Sequence, residues 1–424
     1  MKVTVLSTFD RLGGAAEAAF RHVEALRSAG VDARMLVRTA REDLPWISKI
    51  GSGFFFQKLM QFHQWNERFR FISQAARKED WFSFSIGDQG HQIVNHPWIQ
   101  DADVINPHWI QKGYISISEL ARLGQLGKYM IWHLQDMWAF TGGCHYSGAC
   151  RGYLAVCGQC PYLKRPSPMD LSARIHSKKA HLYKQIQFQI SASSQWLQQE
   201  AQRSSLFQEK AVFHLPMGVN TEVYTPGNMK AARKTLGLPE GGTIFLFAAM
   251  NANDHRKGFK ELTQAMFQLA NKLPIDQRDQ ISLAILGRFD SSQFSTLPFH
   301  LHTLGFRSDR NEIINAYRAA NAFILPSLED NLPNTVLEAM SCGTPVIAFD
   351  AGGVPEMVDH EVNGLLAEVA NSEALSTALK AFIDISPTEQ ARWKRNAREA
   401  MESRYSYSVV AAKHIDHYQK ELGS

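Results

Sequence analysis

The chain has 424 residues, of which 45% are hydrophobic and 20% charged, a composition ordinary for a globular protein. Lysine and arginine exceed aspartate and glutamate by only four residues, which is too small an excess to indicate a nucleic-acid-binding protein. Because no apolar run reaches the roughly 18 residues that span a bilayer, and the first residues do not resemble a secretory signal, we expect a cytoplasmic protein.

Short apolar segments alternate with helical patterns along the first half of the chain. A buried-strand pattern at 3–7 leads into the turn Gly13-Gly14, and a helix is predicted from there to Leu26. This alternation is typical of a parallel sheet that is covered by helices on both faces. Further strands are predicted at 33–37, 104–106, 129–134 and 188–192.

The same alternation restarts after residue 217. We therefore predict an α/β protein with two doubly wound, Rossmann-like domains joined near this residue and facing each other across a cleft, where ligand sites are common. The second series of predicted elements comprises strands at 244–248, 282–286, 302–304, 322–325 and 345–349 and helices at 260–273, 310–319 and 335–341.

The segment 54–84 fits neither sheet, because it contains ten aromatic residues with five basic residues between them. Basic and aromatic residues on one helix are typical of a helix that lies on a membrane surface. The alternative is a helix that packs on its own domain while its basic side chains extend to water.

An acidic loop joins a predicted strand to a predicted helix between Pro326 and Ser341. Asp330 falls in the loop and Glu338 two turns along the helix. Backbone N–H groups at such a helix N-terminus bind anions and hydroxyl groups, and the carboxylates can accept hydrogen bonds from sugar hydroxyls. The alternative interpretation is a capping acid followed by a solvated helix face.

This stretch resembles the donor-site motif of retaining glycosyltransferases of the GT-B fold, family 4, in which two glutamates are separated by seven intervening residues. Asp330 and Glu338 fall on the two positions, with aspartate in place of the first glutamate. The resemblance implies that Asp330 lies beside the donor sugar, that Glu338 holds the ribose, and that the loop amides bind sugar and phosphate. The loop residues so implied are Asn331, Leu332, Pro333, Asn334 and Thr335.

Arg256-Lys257-Gly258 resembles the family's Lys-Gly element, whose lysine neutralises the donor diphosphate. The family's partner arginine has no counterpart in Asn251-Ala252-Asn253, so Arg256 is the implied substitute. The resemblance therefore assigns the donor phosphates to Lys257 and Arg256.

Three further segments resemble family elements. Phe306 lies in a loop similar to the one that frames the nucleotide base, and Gly13-Gly14 resembles the N-terminal glycine-rich loop, which allows close approach of phosphate or sugar. A last helix at 405–424 is implied to cross back onto the first domain. The implied domains are thus 1–217 for the acceptor, with this helix, and 218–404 for the donor.

The segment from His133 to Trp138 resembles a branch of family 4 that is associated with bacterial surface polysaccharides. A His-Asp pair precedes Met-Trp in that branch, whereas Gln135-Asp136 occupies the pair here. In a strand, His133 and Gln135 would share one face and Asp136 would point to the other. His133 is therefore a candidate neighbour of the donor sugar or a structural residue, and Asp136 a candidate contact for the acceptor.

Four of the five cysteines, Cys144, Cys150, Cys157 and Cys160, fall within 17 residues. Four thiolates make a closed, structural zinc site, and C-x2-C in a cytosolic chain favours a metal over a disulfide. His145 could replace one sulfur. Paired disulfides and unligated thiols are the alternatives.

The resemblance implies a retaining glycosyltransferase that moves a hexose from a nucleoside-diphosphate sugar, with UDP or GDP, to a hydroxyl of a lipid-linked glycan in bacterial surface polysaccharide biosynthesis. It implies no catalytic metal, no nucleic-acid partner, and a location at the inner face of the plasma membrane. The expected catalytic residues are Asp330, Lys257, His133 and Asp136. The alternatives are a nucleotide-sugar epimerase with the same fold or a non-catalytic, zinc-containing binding protein.

Overall fold

The computed structural model describes residues 1–251, 254–289 and 297–423, which divide into two compact units. Unit 1 comprises Met1–Met217 and Val410–Ser424, and unit 2 comprises Gly218–Val409. Each unit contains one parallel β-sheet, so unit 1 is built from two separate stretches of chain.

Unit 1 contains a seven-stranded sheet and six helices that precede residue 218, within the described residues. The elements are β1 (Lys2–Phe9), α1 (Gly14–Ser28), β2 (Asp32–Thr39), β3 (Ile47–Lys49), α2 (Phe54–Ile72), α3 (Pro97–Gln100), β4 (Val104–Pro107), α4 (Ile117–Gly124), β5 (Tyr129–Leu134), α5 (Leu171–Tyr183), β6 (Gln189–Ala192), α6 (Gln195–Arg203) and β7 (Val212–His214). All neighbouring strands are parallel, in the order β3-β2-β1-β4-β5-β6-β7.

Unit 2 contains a six-stranded parallel sheet in the order β10-β9-β8-β11-β12-β13. Its elements are α7 (Met229–Leu236), β8 (Thr243–Asn251), α8 (Phe259–Lys272), α9 (Ile275–Arg278), β9 (Ile281–Arg288), β10 (His300–Gly305), α10 (Arg310–Ala319), β11 (Ala322–Leu325), α11 (Asn334–Ser341), β12 (Val346–Phe349), β13 (Gly364–Ala367), α12 (Ser372–Asp384) and α13 (Pro387–Arg404). The last helix, α14 (Tyr407–Gly423), ends in unit 1.

The strands are apolar on both faces because each sheet separates two hydrophobic cores. In β8, Leu246 packs into one core and Phe245 and Phe247 into the other. In β5, Trp132 and Ile131 likewise belong to different cores of unit 1. Near-continuous apolar strands are the expected sequence of a parallel sheet that is covered on both faces.

The predicted α/β class with two Rossmann-like domains is confirmed by the two parallel sheets. The predicted strands correspond to β1, β2, β4, β5 and β6 in unit 1 and to β8, β9, β10, β11 and β12 in unit 2. The strands β3, β7 and β13 were not predicted. They have three or four residues each and lie at sheet edges, where a short apolar run has no readable period.

None of the helices in the described ranges is long and apolar enough to cross a membrane.

Candidate functional site

The turn between β8 and α8 places two cations at the carboxyl end of the unit 2 sheet. The carboxylate of Asp254 caps a short helical turn at His255–Lys257 by accepting from the backbone N–H of Arg256. Gly258 then adopts a φ of 65°, and a Cβ at this residue would stand 1.7 Å from the carbonyl oxygen of Pro326. Only glycine therefore lets this turn pack against the chain that leaves β11.

Three of the predicted donor residues meet at this turn. The Nζ atom of Lys257 donates to Oδ2 of Asp330 at 2.7 Å, and the Arg256 guanidinium lies 3.6 Å from the same oxygen. Arg256 also donates to the backbone oxygen of Glu329 at 3.0 Å. The cluster thus joins the end of β8 to the acidic loop after β11.

Asp330 is a buried carboxylate with only 7% of its surface exposed. Burial on its own would raise the pKa of Asp330, but attraction by Lys257 and Arg256 outweighs burial and lowers the pKa below its ordinary value. The aspartate is therefore ionised. Arg256 also pairs with the carboxylate of Asp254 at 3.2 Å, so two cations lie among two carboxylates at this turn.

A glycine turn after β12 supports the acidic loop from below. Gly352 has a φ of 58°, and a Cβ there would lie 2.0 Å from the backbone oxygen of Asp330. The N–H of Gly353 donates to that oxygen at 3.1 Å. This close backbone contact fixes the position of the Asp330 backbone against the turn that follows β12.

Glu338 lies on α11, one residue beyond the middle of the helix, and is 8% exposed. Its Oε2 accepts a hydrogen bond of 2.7 Å from the hydroxyl of Tyr317. Sequence reasoning missed Tyr317, because the hydroxyl reaches Glu338 from a different helix, α10.

The loop before α11 presents backbone amides rather than side-chain caps. Pro333 occupies the N-cap position, so no side chain caps the first turn, and α11 starts at Asn334 and Thr335. Asn331 is buried and Leu332 is partly buried. An uncapped helix N-terminus is a site that binds anions and hydroxyl oxygens.

Phe306 and the two N-terminal glycines lie apart from this cluster in sequence. Phe306 follows β10 and is 47% exposed, with the Arg288 guanidinium 4.6 Å above its ring. Gly13 has a φ of 96° and Gly14 begins α1 in unit 1. A Cβ at Gly13 would meet nothing within 4 Å, so its conformation, not crowding, favours glycine.

Ala252 and Asn253, where the partner arginine is missing, lie outside the described residues.

His133 is fully buried on β5. Its Nδ1 and Nε2 atoms bond to the hydroxyls of Ser191 and Ser193 at 2.9 and 2.8 Å. Burial, and then the neighbouring histidines, lower the pKa of His133 well below its ordinary value. The imidazole is therefore neutral and held between two serines.

His133 belongs to a group of four buried histidines, together with His22, His108 and His414. The rings of His108 and His133 are stacked at 4.9 Å, and those of His22 and His414 lie 4.3 Å apart. His414 comes from α14 and also bonds to the carbonyl of Pro216 at 3.2 Å. These histidines fasten α14 to the unit 1 sheet.

Asp136 follows β5 and is the centre of a polar network. Its Oδ2 accepts from Nε1 of Trp109 at 3.0 Å and lies 2.7 Å from Nδ1 of His145. The other ring nitrogen of His145 bonds to the hydroxyl of Ser85 at 2.9 Å. His145 is thus engaged through both nitrogens, which contradicts the suggestion that it replaces a cysteine sulfur.

The contacts of Asp136 with His145 and of His145 with Ser85 were not predicted. Ser85 lies 60 residues before His145, so no local spacing connects them. The network has the order carboxylate, imidazole, hydroxyl, which holds the imidazole in one orientation.

All five cysteines are free thiols in the structure. Burial raises the pKa of Cys157 to about 11 and that of Cys160 to about 12. Within the described ranges, no group of three or more His, Cys, Asp or Glu side chains is arranged to hold a metal ion. The predicted zinc site is therefore not present as a formed coordination sphere.

Helix α2 packs through one face and exposes the other. Phe71 stacks on Phe84 at 4.6 Å, and Oε1 of the buried Glu67 accepts from the N–H of Gly87 at 2.7 Å. The opposite face consists of exposed aromatic and aliphatic side chains, including Phe55 at 87% exposure. The exposed apolar residues of this helix are Phe54, Phe55, Leu59, Phe62, Trp65 and Phe69.

Residues 228–400 match the protein family described as "Glycosyl transferases group 1". A D-inositol 3-phosphate glycosyltransferase from Catenulispora acidiphila is 28% identical over 48% of this chain and 49% of its own length. A putative colanic acid biosynthesis glycosyl transferase, WcaC from Escherichia coli, is 21% identical over 76% of each chain. The chain spans about half the length of the D-inositol 3-phosphate relatives that it matches.

Solved structures share the fold across nearly the whole chain. Sucrose-phosphate synthase from Thermosynechococcus elongatus aligns with a TM-score of 0.68 at 17% identity, covering 100% of this chain and 99% of the other. HepE from Anabaena in complex with UDP-glucose aligns with a TM-score of 0.64 at 16% identity, covering 99% and 100%. At these identities the likeness concerns the fold alone, and the neighbours are GT-B proteins.

Proposed function

We propose, from the group 1 glycosyltransferase domain at residues 228–400, that the chain is a retaining glycosyltransferase that transfers a hexose from a nucleoside-diphosphate sugar to a hydroxyl of a glycan acceptor. The observation that carries the proposal is the cluster of Lys257, Arg256 and Asp330 at the carboxyl end of the unit 2 sheet. Ligands of doubly wound sheets bind at this end.

The positive charges of Lys257 and Arg256 would stabilise the negative charge of a departing diphosphate. As the bond between the sugar and the diphosphate breaks, negative charge grows on the phosphate oxygen, and fixed positive groups stabilise that charge. Lys257 and the N-terminus of α11 are the proposed phosphate ligands, and Arg256 is the proposed second cation. Asp330 holds Lys257 in place and accepts a hydrogen bond from a sugar hydroxyl.

We assign the ribose to Glu338. Its carboxylate accepts from Tyr317 through one oxygen, which orients the group, and a carboxylate has further acceptor positions for the two ribose hydroxyls. UDP is the first nucleotide to test, because the HepE structure that shares this fold holds UDP-glucose, and GDP is the second.

Retention of configuration follows from attack on the face that the diphosphate leaves. In the reaction implied by the family resemblance, the acceptor oxygen forms its bond to the anomeric carbon as the bond to the phosphate oxygen breaks. The departing phosphate oxygen takes the hydroxyl proton, so the scheme uses no enzyme nucleophile. Asp136, oriented with His145, is the proposed contact for the acceptor, whereas His133 is assigned a structural role because both its nitrogens are engaged.

The proposed acceptor is a lipid-linked glycan at a membrane surface. The exposed side chains Phe55, Leu59, Phe62, Trp65 and Phe69 recur every three or four residues, so they form one stripe along α2. Exposed basic residues of the helix, Lys58 and Arg68, lie among them, and its single carboxylate, Glu67, is buried. An apolar stripe with basic flanks and no exposed acid matches an anionic lipid surface.

A ligand-binding screen tests the donor assignment. We expect UDP, UDP-glucose, GDP or GDP-mannose to raise the melting temperature, because a ligand at 100 times its Kd adds about 2.7 kcal/mol of stability. Wild type and Lys257→Ala are compared, and loss of the shift in the variant supports the site. Absence of any shift with all four ligands would contradict a nucleotide-sugar site.

Product analysis separates transfer from epimerisation. Incubation of the protein with the stabilising nucleotide sugar and a synthetic lipid-diphosphate glycan should give a product with the anomeric configuration of the donor. The same nucleotide sugar incubated without acceptor should be recovered with its sugar configuration unchanged. Conversion of the sugar without acceptor would favour the epimerase alternative.

A further inference from the structure

The four clustered cysteines border one small cavity in unit 1. The cavity has a volume of about 20 Å³, and its lining is formed by thiols, glycines, aromatic rings, one proline and one serine, without any carboxylate. Space of this size accommodates one water molecule or one ion. The cysteines in the lining are Cys144, Cys150, Cys157 and Cys160.

Backbone N–H groups point at two of these sulfurs. The N–H of Gly142 donates to Sγ of Cys157 at 3.1 Å, and the backbone of Tyr162 donates to the thiol of Cys160. A Cβ at Gly142 would lie 2.7 Å from Cβ of Cys157, so glycine is needed for this approach. Donors aimed at sulfur stabilise a thiolate over a thiol and are typical of the surroundings of metal-bound cysteines.

A buried lysine faces the same cluster. Lys179 on α5 has no exposed surface, and its ammonium group donates to the carbonyl oxygens of Trp138 and Thr141 and lies 3.8 Å from the centre of the Trp138 ring. No salt bridge to Lys179 is found among the residues described. The groups that attract its charge are the carboxylate of Asp136 and, when they are ionised, Cys157 and Cys144.

A buried ammonium group is costly unless a negative charge lies nearby. The carboxylate of Asp136 supplies one such charge, four neutral thiols add none, and a divalent ion bound by four thiolates would add a net charge of minus two. The position of Lys179 is therefore compatible with a negatively charged, metal-bound form of the cysteine cluster.

We infer that Cys144, Cys150, Cys157 and Cys160 bind one zinc ion as a closed, structural site around this cavity. The sulfurs of the structure are not yet at coordinating positions, so binding requires the cysteine side chains to turn toward the cavity centre. The χ1 torsion of cysteine has three staggered positions, and such a change leaves the backbone in place. Four protons leave as the four zinc–sulfur bonds form, with no change in oxidation state.

The zinc ion would fix the loop that carries His145. This residue is adjacent to Cys144, and the N–H of Met137 donates to its carbonyl oxygen at 2.9 Å. The metal would therefore hold the network of Asp136, His145 and Ser85 in place from one side. This role is independent of the proposed transfer reaction, because it concerns stability and metal content.

Metal analysis of the purified, untagged full chain tests the inference. We expect elemental analysis to find one zinc per chain, and X-ray absorption at the zinc edge to find four sulfur neighbours at about 2.3 Å. Mass spectrometry should find all five cysteines reduced after the metal is removed in denaturant.

Two matched variants distinguish this cluster from other thiols. Cys160→Ser should lose zinc to background, whereas Cys342→Ser, which alters a buried cysteine in unit 2, should retain one zinc. A strong chelator should lower the melting temperature of wild type and of Cys342→Ser.

Three results would overturn the inference, and none depends on whether a variant folds. These are wild-type protein with five reduced cysteines and no bound metal, a mass lowered by four hydrogens that indicates two disulfides, and iron in place of zinc. A catalytically inactive protein that still holds zinc would reject the proposed function and leave this site intact.

Discussion

Asp330 is shorter by one methylene than the glutamate of the family pattern, and its carboxylate pairs directly with Lys257 at 2.7 Å. The pair keeps Asp330 ionised in spite of its burial, and it holds the Lys257 ammonium at the end of the sheet. When a diphosphate binds, Lys257 has three donor hydrogens to divide between Asp330 and the phosphate oxygens. In the proposed donor site, Lys257 would thus connect the sugar side to the phosphate side.

Replacing Lys257 tests this electrostatic role. We expect Lys257→Ala to lower kcat by about 10²–10³-fold, since removal of one preorganised charge-stabilising group costs that much in related kinds of site. The measurement is release of the nucleoside diphosphate in the presence of acceptor. Lys260→Ala, which changes an exposed lysine three residues later, should leave kcat unchanged. Equal rates in the two variants would refute the role of Lys257.

Gly258 and Gly237 allow a matched test of crowding. Both have a φ of 65°, but a Cβ at Gly237 meets nothing within 4 Å, whereas one at Gly258 would stand 1.7 Å from the Pro326 oxygen. We expect Gly237→Ala to lower the free energy of unfolding by about 1 kcal/mol through backbone strain alone. Gly258→Ala should cost about 2 kcal/mol more, because the turn must move.

Urea unfolding of both variants measures the difference. A similar loss of stability in the two would show that the turn after β8 is not held against β11. Loss of nucleotide binding in Gly258→Ala alone would place the effect at the donor site.

At the scale of single residues, the sequence was informative where function depends on local spacing. Asp330, Glu338 and the Lys257 turn could be singled out because each lies in a short motif between a strand and a helix. The contacts of Glu338 with Tyr317, of Asp136 with His145 and of His145 with Ser85 could not, because no local motif connects these residues. The burial of His133 between two serines was equally hidden, since a strand pattern does not tell how the neighbouring strand is filled.

At the scale of elements, α2 packs on its own domain, as one interpretation of its sequence predicted, while membrane contact through its other face stays a prediction. One face packs on unit 1 through Phe71, and the other exposes a stripe of large apolar side chains. Contiguous apolar patches of this kind mark interaction surfaces. Periodicity predicted the helix, but only the structure separates its two faces.

The contribution of the aromatic side chains of this stripe to lipid binding can be tested on vesicles. We expect the double variant Phe55→Ser, Trp65→Ser to lose at least half of its binding to vesicles that contain an anionic phospholipid, because each buried large side chain contributes about 1.5–3 kcal/mol. Cosedimentation measures the bound fraction. Phe267→Ser, which removes an exposed aromatic ring from α8 of unit 2, should bind like wild type. Unchanged binding of the double variant would exclude this stripe as the lipid contact.

At the scale of the whole molecule, the buried histidines predict that acid destabilises unit 1. Burial, the largest cause, lowers the pKa of His108 and of His414 to about 3, whereas an unfolded histidine titrates near pH 6.5. Between these values the unfolded chain binds more protons than the folded chain, so stability falls as the pH falls. The contribution is fully present above about pH 6.5 and is lost progressively toward pH 3.

Urea unfolding at a series of pH values, followed by tryptophan fluorescence, measures this slope. Fluorescence reports mainly on unit 1, because every tryptophan except Trp393 lies there. Each such histidine adds up to about 1.4 kcal/mol per pH unit. His414→Gln should give a shallower slope than wild type, and His300→Gln, at an exposed position, should not. Identical slopes in all three proteins would contradict the assignment.

Several charged or titratable groups lie near the four histidines and influence their pKa values, and two of these groups are themselves histidines. Burial is the largest cause that lowers the pKa of His417, so His417 would add to the proton uptake on unfolding. Tyr418 does not titrate in this pH range. The groups that influence the cluster are His214, Lys413, His417 and Tyr418.

Unit 1 is completed by residues that lie on the far side of unit 2 in the sequence, and this order has a consequence for synthesis. When the ribosome has made all strands of the unit 1 sheet, it has not yet made α14. Until α14 is made, His22, His108 and His133 lack the neighbouring ring of His414. Unit 2, in contrast, is continuous and can fold as soon as it emerges. We expect the fragment 1–217 to be poorly soluble when expressed alone and to be rescued by co-expression of a peptide covering 405–424, whereas 218–409 should fold without help. A stable, soluble 1–217 fragment would show that the last helix is an addition to unit 1 and not part of its folding core.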